Sequence, residues 1–329
     1  MCFGAGKLYW NRRFLRLSDT ILFEDNQLKL DVIPEAFIRR NIDYIYNYAY
    51  GCSDNLLIEC EINDIIQEIV TDERQLAEDI GRKYNVNITT LAEANKIVKD
   101  ERLKRFNELI DRKFTDDVLL DLLDKFKIRE DTSIQSIVSD SADVPTIFEY
   151  ILGVIWYKIS ERQGDILSFM HLDFDADLLP KTHAGGGMSD IEYKYDETLY
   201  YPKHTLMLEA ILMNASAQKL NEDEPATRHL GEYILQTKNK NSYCVFSAPN
   251  IPLNLISSFR NKRTYTYFSQ SGDEYVEGLK LIPVMTDEIK EIIRSGKKYK
   301  DVYPIFEEAF NSNEPIRDWY ANKIALVLR

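Results

Sequence analysis

Cysteine is scarce in this chain of 329 residues, and what there is does not pair. Cys2, Cys52, Cys60 and Cys244 are scattered and form no CxxC motif, so buried thiols are expected rather than a disulfide framework or a zinc knuckle. No run approaches the roughly 18 uninterrupted apolar residues that a membrane span needs. The opening MCFGAGKLYWNRRF lacks the apolar centre of a secretory signal, which points to the cytoplasm. Internal repeats and low-complexity tracts are missing as well. Positive charge is in deficit, with 41 Lys and Arg against 54 Asp and Glu, a net charge of −13. That balance argues against a broad electrostatic grip on nucleic acid. It is compatible with a protein that gathers carboxylates where its chemistry happens and meets an anionic partner through a small basic face.

What is present is an ordinary globular composition, 44% hydrophobic and 29% charged, in a chain long enough for two domains. Residues 1–33 mix aromatics, arginines and turn residues. Leu8 to Leu17 alternates as a strand does, and Ile21 to Leu30 reads as a hairpin turning at Asp25-Asn26, residues that tolerate the positive φ of such turns. Arg12, Arg13 and Arg16 could touch phosphates from this hairpin, or simply form a solvated face. Residues 34–140 have helical spacing. Ile62, Ile65, Ile66 and Ile69 fall at i, i+3, i+4 and i+7. Further helices are expected after Thr89-Thr90 and after Thr115, where Asp116 and Asp117 suit the positive end of the helix dipole. The text turns polar between Ile128 and Asp143, and the boundary of a second domain, 141–329, is set there.

The second domain is organised around the stretch from His183 to Arg228. Gly185-Gly186-Gly187 delivers the chain to Asp190 at the head of an alternating segment. A second run, His204-Thr-Leu-Met-Leu-Glu209-Ala-Ile-Leu212, is apolar apart from one carboxylate in its middle. An acid inside a buried strand costs several kcal/mol unless it is paired or ligates a metal. A helix opened by Pro145 precedes these strands and carries Glu149, and another begins at Glu224-Pro-Ala-Thr-Arg-His229. The predicted order is helix, strand, strand, helix, strand.

Asp190 and Glu209 on adjacent antiparallel strands can share one hard cation, for which Mg²⁺ with Mn²⁺ as substitute is the natural choice. Glu149 or Glu224 could hold a second ion, and the chemistry that needs such a site is hydrolysis of a phosphodiester. His183 could contact phosphate from beside the glycine run, Arg228 could hold an acid or a phosphate, and Gln218 could position water. An Asp followed after about twenty residues by Glu-x-Lys is the signature of the PD-(D/E)xK nuclease fold. Here the third position is Ile211, so the ammonium would have to come from Lys219, with Lys203 and His183 as alternatives.

Taken whole, Gly-Gly-Gly-Met-Ser-Asp190-Ile-Glu, then Leu-Met-Leu-Glu209-Ala-Ile-Leu, Ser216-Ala-Gln218 and Glu224-Pro-Ala-Thr-Arg-His229 resembles the catalytic region of the AlwI-type family of type IIS restriction endonucleases, which includes strand-nicking relatives. The resemblance covers residues 145–248. It implies a PD-(D/E)xK nuclease-like α/β domain, a mixed sheet flanked by helices, preceded by a mostly helical module in which the first hairpin is the wing of a winged-helix unit. It also implies that Asp190 and Glu209 are metal-binding acids, with Glu224 and Glu149 matching two further acids of the family. Ile211 departs from the pattern, which has Thr or Lys there. The expected activity is Mg²⁺-dependent cleavage or nicking of double-stranded DNA, by a homodimer or with a second subunit where both strands are cut. A catalytically weakened DNA-binding or assembly subunit, and a DNA repair or junction-resolving nuclease, stay open as alternatives.

Overall fold

The computed structural model describes residues 20–24, 27–50, 66, 67, 69, 72–183, 188–212 and 223–328. The chain forms two units, one of residues 1–106 with 175–178 and the other of 107–174 with 179–329.

In the first unit, strands β1 (Ile21–Glu24) and β2 (Gln27–Leu30) pair antiparallel with Glu24 opposite Gln27, the hairpin expected around Asp25-Asn26. Helices α1 (Val32–Arg40), α2 (Ile42–Tyr50), α3 (Glu73–Tyr84) and α4 (Leu91–Lys113) follow, the last with its residues from Asn107 onward in the second unit. Their starts are chemically marked. The Asp31 carboxylate accepts the Val32 amide at 2.7 Å, and Thr90 with Glu93 forms a reciprocal box in which each side chain accepts the other's backbone N–H. Val32, Leu76, Ala77, Ile80 and Ala94 form the core. The expected strand 8–17, the arginines Arg12, Arg13 and Arg16, and Cys2, Cys52 and Cys60 lie outside the described residues. Of the helix expected through Ile62, Ile65, Ile66 and Ile69, only residues 66, 67 and 69 are described; they are not helical, and Ile66 and Ile69 are buried.

The second unit opens with α5 (Asp116–Ile128), whose first turn carries Asp116 and Asp117 behind Thr115. The polar stretch that follows is not open chain: it winds into α6 (Asp131–Ile137). Helix α7 (Val144–Ile159) starts with Pro145 in its first turn and the Asp143 carboxylate accepting the Thr146 amide at 2.9 Å. Next come α8 (Ile166–Phe169), β3 (Leu172–Phe174), β4 (Pro180–His183), β5 (Ile191–Tyr195), β6 (His204–Ala210), α9 (Asp223–Thr237), β7 (Tyr243–Ala248), α10 (Leu253–Asn261), β8 (Thr266–Phe268), β9 (Tyr275–Glu277), β10 (Leu281–Met285), α11 (Thr286–Ser295), α12 (Tyr299–Asn311) and closing turns to Leu328. The predicted run of helix, strand, strand, helix, strand is therefore α7, β5, β6, α9, β7.

Four strands form the main sheet in the order β10-β7-β6-β5. Strand β5 is antiparallel to β6, while β6, β7 and β10 run parallel, so α9 is a crossover helix. All seven residues of β6 are buried, as a strand covered on both faces requires. Helix α7 packs on one face, so close that a Cβ on Gly153 would fall 2.4 Å from Met170 Sδ and 3.3 Å from Ile191 Cδ1. Helix α9 covers the other, tied by Thr205 Oγ1 to Tyr233 Oη at 2.6 Å. Among the described residues no helix is long and apolar enough to cross a membrane.

At the start of β6 the core is aromatic and wired. The Tyr195 ring stacks on Tyr299 at 3.9 Å, and the Trp156 indole donates to Tyr195 Oη at 3.1 Å. His204 donates from Nδ1 to the Pro202 carbonyl at 2.7 Å and accepts at Nε2 from Tyr299 Oη at 2.6 Å. Tyr243 then donates to Tyr299. Burial holds His204 well below its ordinary 6.5, at about 4, so the ring is neutral in the folded protein. Stability from this network is complete above about pH 6.5 and is lost as pH falls toward 4, by up to about 3 kcal/mol. His204→Asn is therefore expected to lower the unfolding midpoint at pH 7 but to flatten its decline between pH 6.5 and 4, as read by scanning calorimetry. An unchanged slope in the variant would remove His204 as the cause.

Candidate active site

Because β5 and β6 run antiparallel, β5 begins where β6 ends. Ile191 pairs with Leu208, and continuing the register by one residue sets Asp190 opposite Glu209. Directly opposed residues of an antiparallel pair project to one face. The Asp190 carboxylate is locked in place: Oδ2 accepts the Ala210 amide at 2.7 Å, and the Asp190 carbonyl accepts from His171 N at 3.0 Å. The side chain takes over a ladder bond that the backbone of β5 no longer supplies. Parallel pairing of β6 with β7 brings Phe246 beside Glu209 and Ser247 beside Ala210.

Glu209 is only 6% exposed. Burial pushes its carboxyl up, opposed by the hydrogen bond and charge of His229, then by the charges of Arg228 and His171. His229 reaches it from α9, with Nδ1 at 2.8 Å from Oε1. Glu149, from α7, is pushed up to about 8, first by burial, then by Asp143 and by Glu209 itself. The strand acid Glu209 and the helix acid Glu149 are thus electrostatic neighbours.

The other candidates fall differently. Glu224 stands in the first turn of α9 with its side chain 75% exposed, paired to Arg228 at 3.2 Å. In this structure the partner of Arg228 is thus an acid on its own helix. His183 lies in β4 opposite Leu172, and its side chain is outside the described residues, as are Gln218 and Lys219. Ile211 offers its backbone N–H to the Ser247 carbonyl at 2.8 Å. Lys203 sits just before β6, six residues and roughly 20 Å of extended chain from Glu209, so it does not supply the missing ammonium.

Two residues of the site were not foreseen. His229 was in plain view in Glu224-Pro-Ala-Thr-Arg-His229, and its spacing from buried Ala226, three residues earlier, put it on the inward side of α9. His171 carried no local signal, since only the fold brings it to Asp190.

Among the described residues no three His, Cys, Asp or Glu side chains converge to hold a divalent ion. Asp190 and Glu209 are nonetheless hard oxygen donors, each with one oxygen fixed by a protein N–H. Ser189 Oγ, Ser247 Oγ and His229 Nε2 are buried polar atoms without partners in the same strand-end region. A cation taking two carboxylates here and completing its shell with water and substrate oxygens fits this set, which is the habit of Mg²⁺.

An α/β protein with a mixed sheet between helices and acids at the ends of adjacent strands, one of them buried, is the class that fold and site define. A family model described as AlwI restriction endonuclease matches residues 9–292, and the chain belongs to that family of restriction endonucleases. Among solved structures, the small subunit (R.BspD6I2) of the heterodimeric restriction endonuclease R.BspD6I is similar at 18% identity and a TM-score of 0.42, over 61% of this chain and 94% of that one. No curated protein matches the sequence.

The raised carboxyl of Glu149 sets a pH dependence. With a folded value of about 8 against an ordinary 4.5, the folded state keeps a proton that the unfolded state gives up, so stability declines as pH rises through that window. In the presence of a chelator, Glu149→Gln should match the wild-type unfolding midpoint near pH 4.5 and exceed it increasingly up to pH 8. A constant offset at all pH values would show that Glu149 ionises freely in the folded protein.

Proposed function

We propose that the chain is a Mg²⁺-dependent endonuclease with the PD-(D/E)xK fold, belonging to a type IIS restriction system and hydrolysing phosphodiester bonds of double-stranded DNA. The observation that carries this reading is the Asp190 carboxylate accepting the amide of Ala210, the residue next to Glu209, at 2.7 Å across neighbouring strand ends, with the Glu149 carboxyl on the helix beneath raised by burial, by Asp143 and by the charge of Glu209. The order α7, β5, β6, α9, β7 supports it, as does family membership. Residues 141–329 are read as the catalytic part, 34–140 as a helical linker or recognition module, and the hairpin within 1–33 as its wing.

Asp190 and Glu209 would hold Mg²⁺, or Mn²⁺ in its place, with Glu149 as a further acid. Such an ion, when bound, lowers the pKa of a water and neutralises charge on the phosphate. The chain's own groups do the arranging. The Ala210 amide fixes one Asp190 oxygen and His229 fixes one Glu209 oxygen, so neither carboxylate has to search for its orientation when substrate arrives. Burial around Glu209 keeps bulk water away and strengthens each of these interactions. Cutting of both strands would call for a homodimer or a second subunit.

Ile211, in the position of the usual lysine, favours one other reading: a catalytically weakened DNA-binding or assembly subunit. Incubation with plasmid DNA and Mg²⁺ separates the two. Under the enzyme reading, cleavage is abolished by chelator and falls at least about 100-fold in Asp190→Ala and in Glu209→Ala. Cleavage that survives either substitution would overturn the site assignment. Retained DNA binding without Mg²⁺ or Mn²⁺ binding in calorimetry would favour the subunit reading.

A further inference from the structure

If the site cuts DNA, something other than residue 211 must receive the proton of the attacking water, because an isoleucine cannot. Histidine is the side chain whose neutral form offers a proton acceptor at neutral pH. The chain has four, at positions 171, 183, 204 and 229. His204 lies at the opposite end of β6 with both ring nitrogens engaged. His229 spends Nδ1 on Glu209, and its Nε2 is buried beyond the reach of solvent. The His183 side chain is outside the described residues.

His171 is different. Its backbone N–H holds the Asp190 carbonyl at 3.0 Å, and its Nδ1 lies 2.6 Å from the Ser189 carbonyl. The ring is thus tied to Ser189 and the backbone to Asp190, the residue that presents the strand-end acid. A carbonyl can only accept, so Nδ1 carries the ring proton and Nε2 keeps its lone pair. Among the described residues Nε2 has no protein partner, and the half-buried ring is not sealed as His229 is. The ring is also close enough to Glu209 that a proton taken up on it would bear on that carboxyl.

We propose that His171, anchored through Nδ1 to Ser189, is the group whose Nε2 receives the hydrogen bond and then the proton of the water that attacks the DNA phosphate. The inference rests on the nuclease reading and deepens it. As the water oxygen bonds to phosphorus, its proton passes to Nε2. The bond from phosphorus to the leaving sugar oxygen breaks, that oxygen keeps the electron pair and takes a proton from bulk water, and His171 returns its proton to solvent. No oxidant or further reactant is needed.

The test compares His171→Asn, His171→Gly and Lys219→Ala with Asp190→Ala and wild type. The asparagine amide can still donate to the Ser189 carbonyl but ends short of Nε2, so it keeps the anchor and removes the acceptor. His171→Asn should leave the unfolding midpoint, DNA affinity and calorimetric Mn²⁺ binding as in wild type while kcat falls about 100-fold or more. Added imidazole should restore at least tenfold turnover to His171→Gly and none to Asp190→Ala. A kcat for His171→Asn within threefold of wild type, with Lys219→Ala impaired instead, would overturn the proposal. Loss of Mn²⁺ binding along with activity in His171→Asn would also overturn it, by making His171 a support for Asp190. Failure of the nuclease reading looks different: wild type itself would not cut, and Asp190→Ala would be indistinguishable from it.

Discussion

The pairing register between β5 and β6 is the constraint on which the site depends. Side chains alternate along a strand, so a slip of one residue would set Asp190 against Leu208 and send the two acids to opposite faces. The bond from the Ala210 amide to Asp190 Oδ2 guards against that slip at the point where the ladder would otherwise fray. It uses the same carboxylate that the proposed chemistry would call on, so holding the register and presenting the acid are one interaction. Tight packing on the other side of the sheet reinforces it: Gly153 lets α7 lie against Ile191 and Met170, and the Met170 bridge to Ile191 extends the pairing beyond the main strands.

The two ends of β6 show how one buried strand serves two purposes. At the His204 end every polar group of the His204, Tyr299 and Pro202 trio has a partner, and the aromatic rings around it close the space. A satisfied buried network stabilises and specifies a single packing. At the Glu209 end, two acids are held where ionisation is disfavoured, and three buried polar atoms go without partners. That arrangement is costly to the fold taken alone. Its persistence makes sense if the missing partners arrive with substrate and ion, which is why departures from local consistency are concentrated at functional sites.

Much of this was readable along the chain, for physical reasons that differ from element to element. Helices α5 and α7 are announced by their own ends, by Thr115 with its two aspartates and by Asp143 with Pro145. The pair of strands carrying Asp190 and Glu209 follows from alternation in one and a continuous apolar run in the other. The β8–β9 hairpin, by contrast, has three-residue strands that are too short for any periodicity to show. The polar segment 131–137 forms a helix because Ile134 finds a buried place, a fact of packing that composition alone conceals. Glu149 could be singled out as an acid in apolar company, yet its exposure to the charge of Glu209 is a matter of three dimensions.

His171 and His229 mark the limit of local reading most sharply. Both stand beside the acids, and both enter from elements far away in the chain, 38 and 20 residues from Glu209 by their numbers. Their ring nitrogens are nevertheless set to different uses. His229 turns its bonded nitrogen to Glu209 and buries the other, which makes it a brace for a carboxylate. His171 gives its bonded nitrogen to the Ser189 carbonyl, which leaves the other unencumbered among the described residues. Which nitrogen a histidine gives to the backbone decides what the other can do, and that choice is written in the tertiary contacts of the strand end rather than in either residue's neighbours along the sequence.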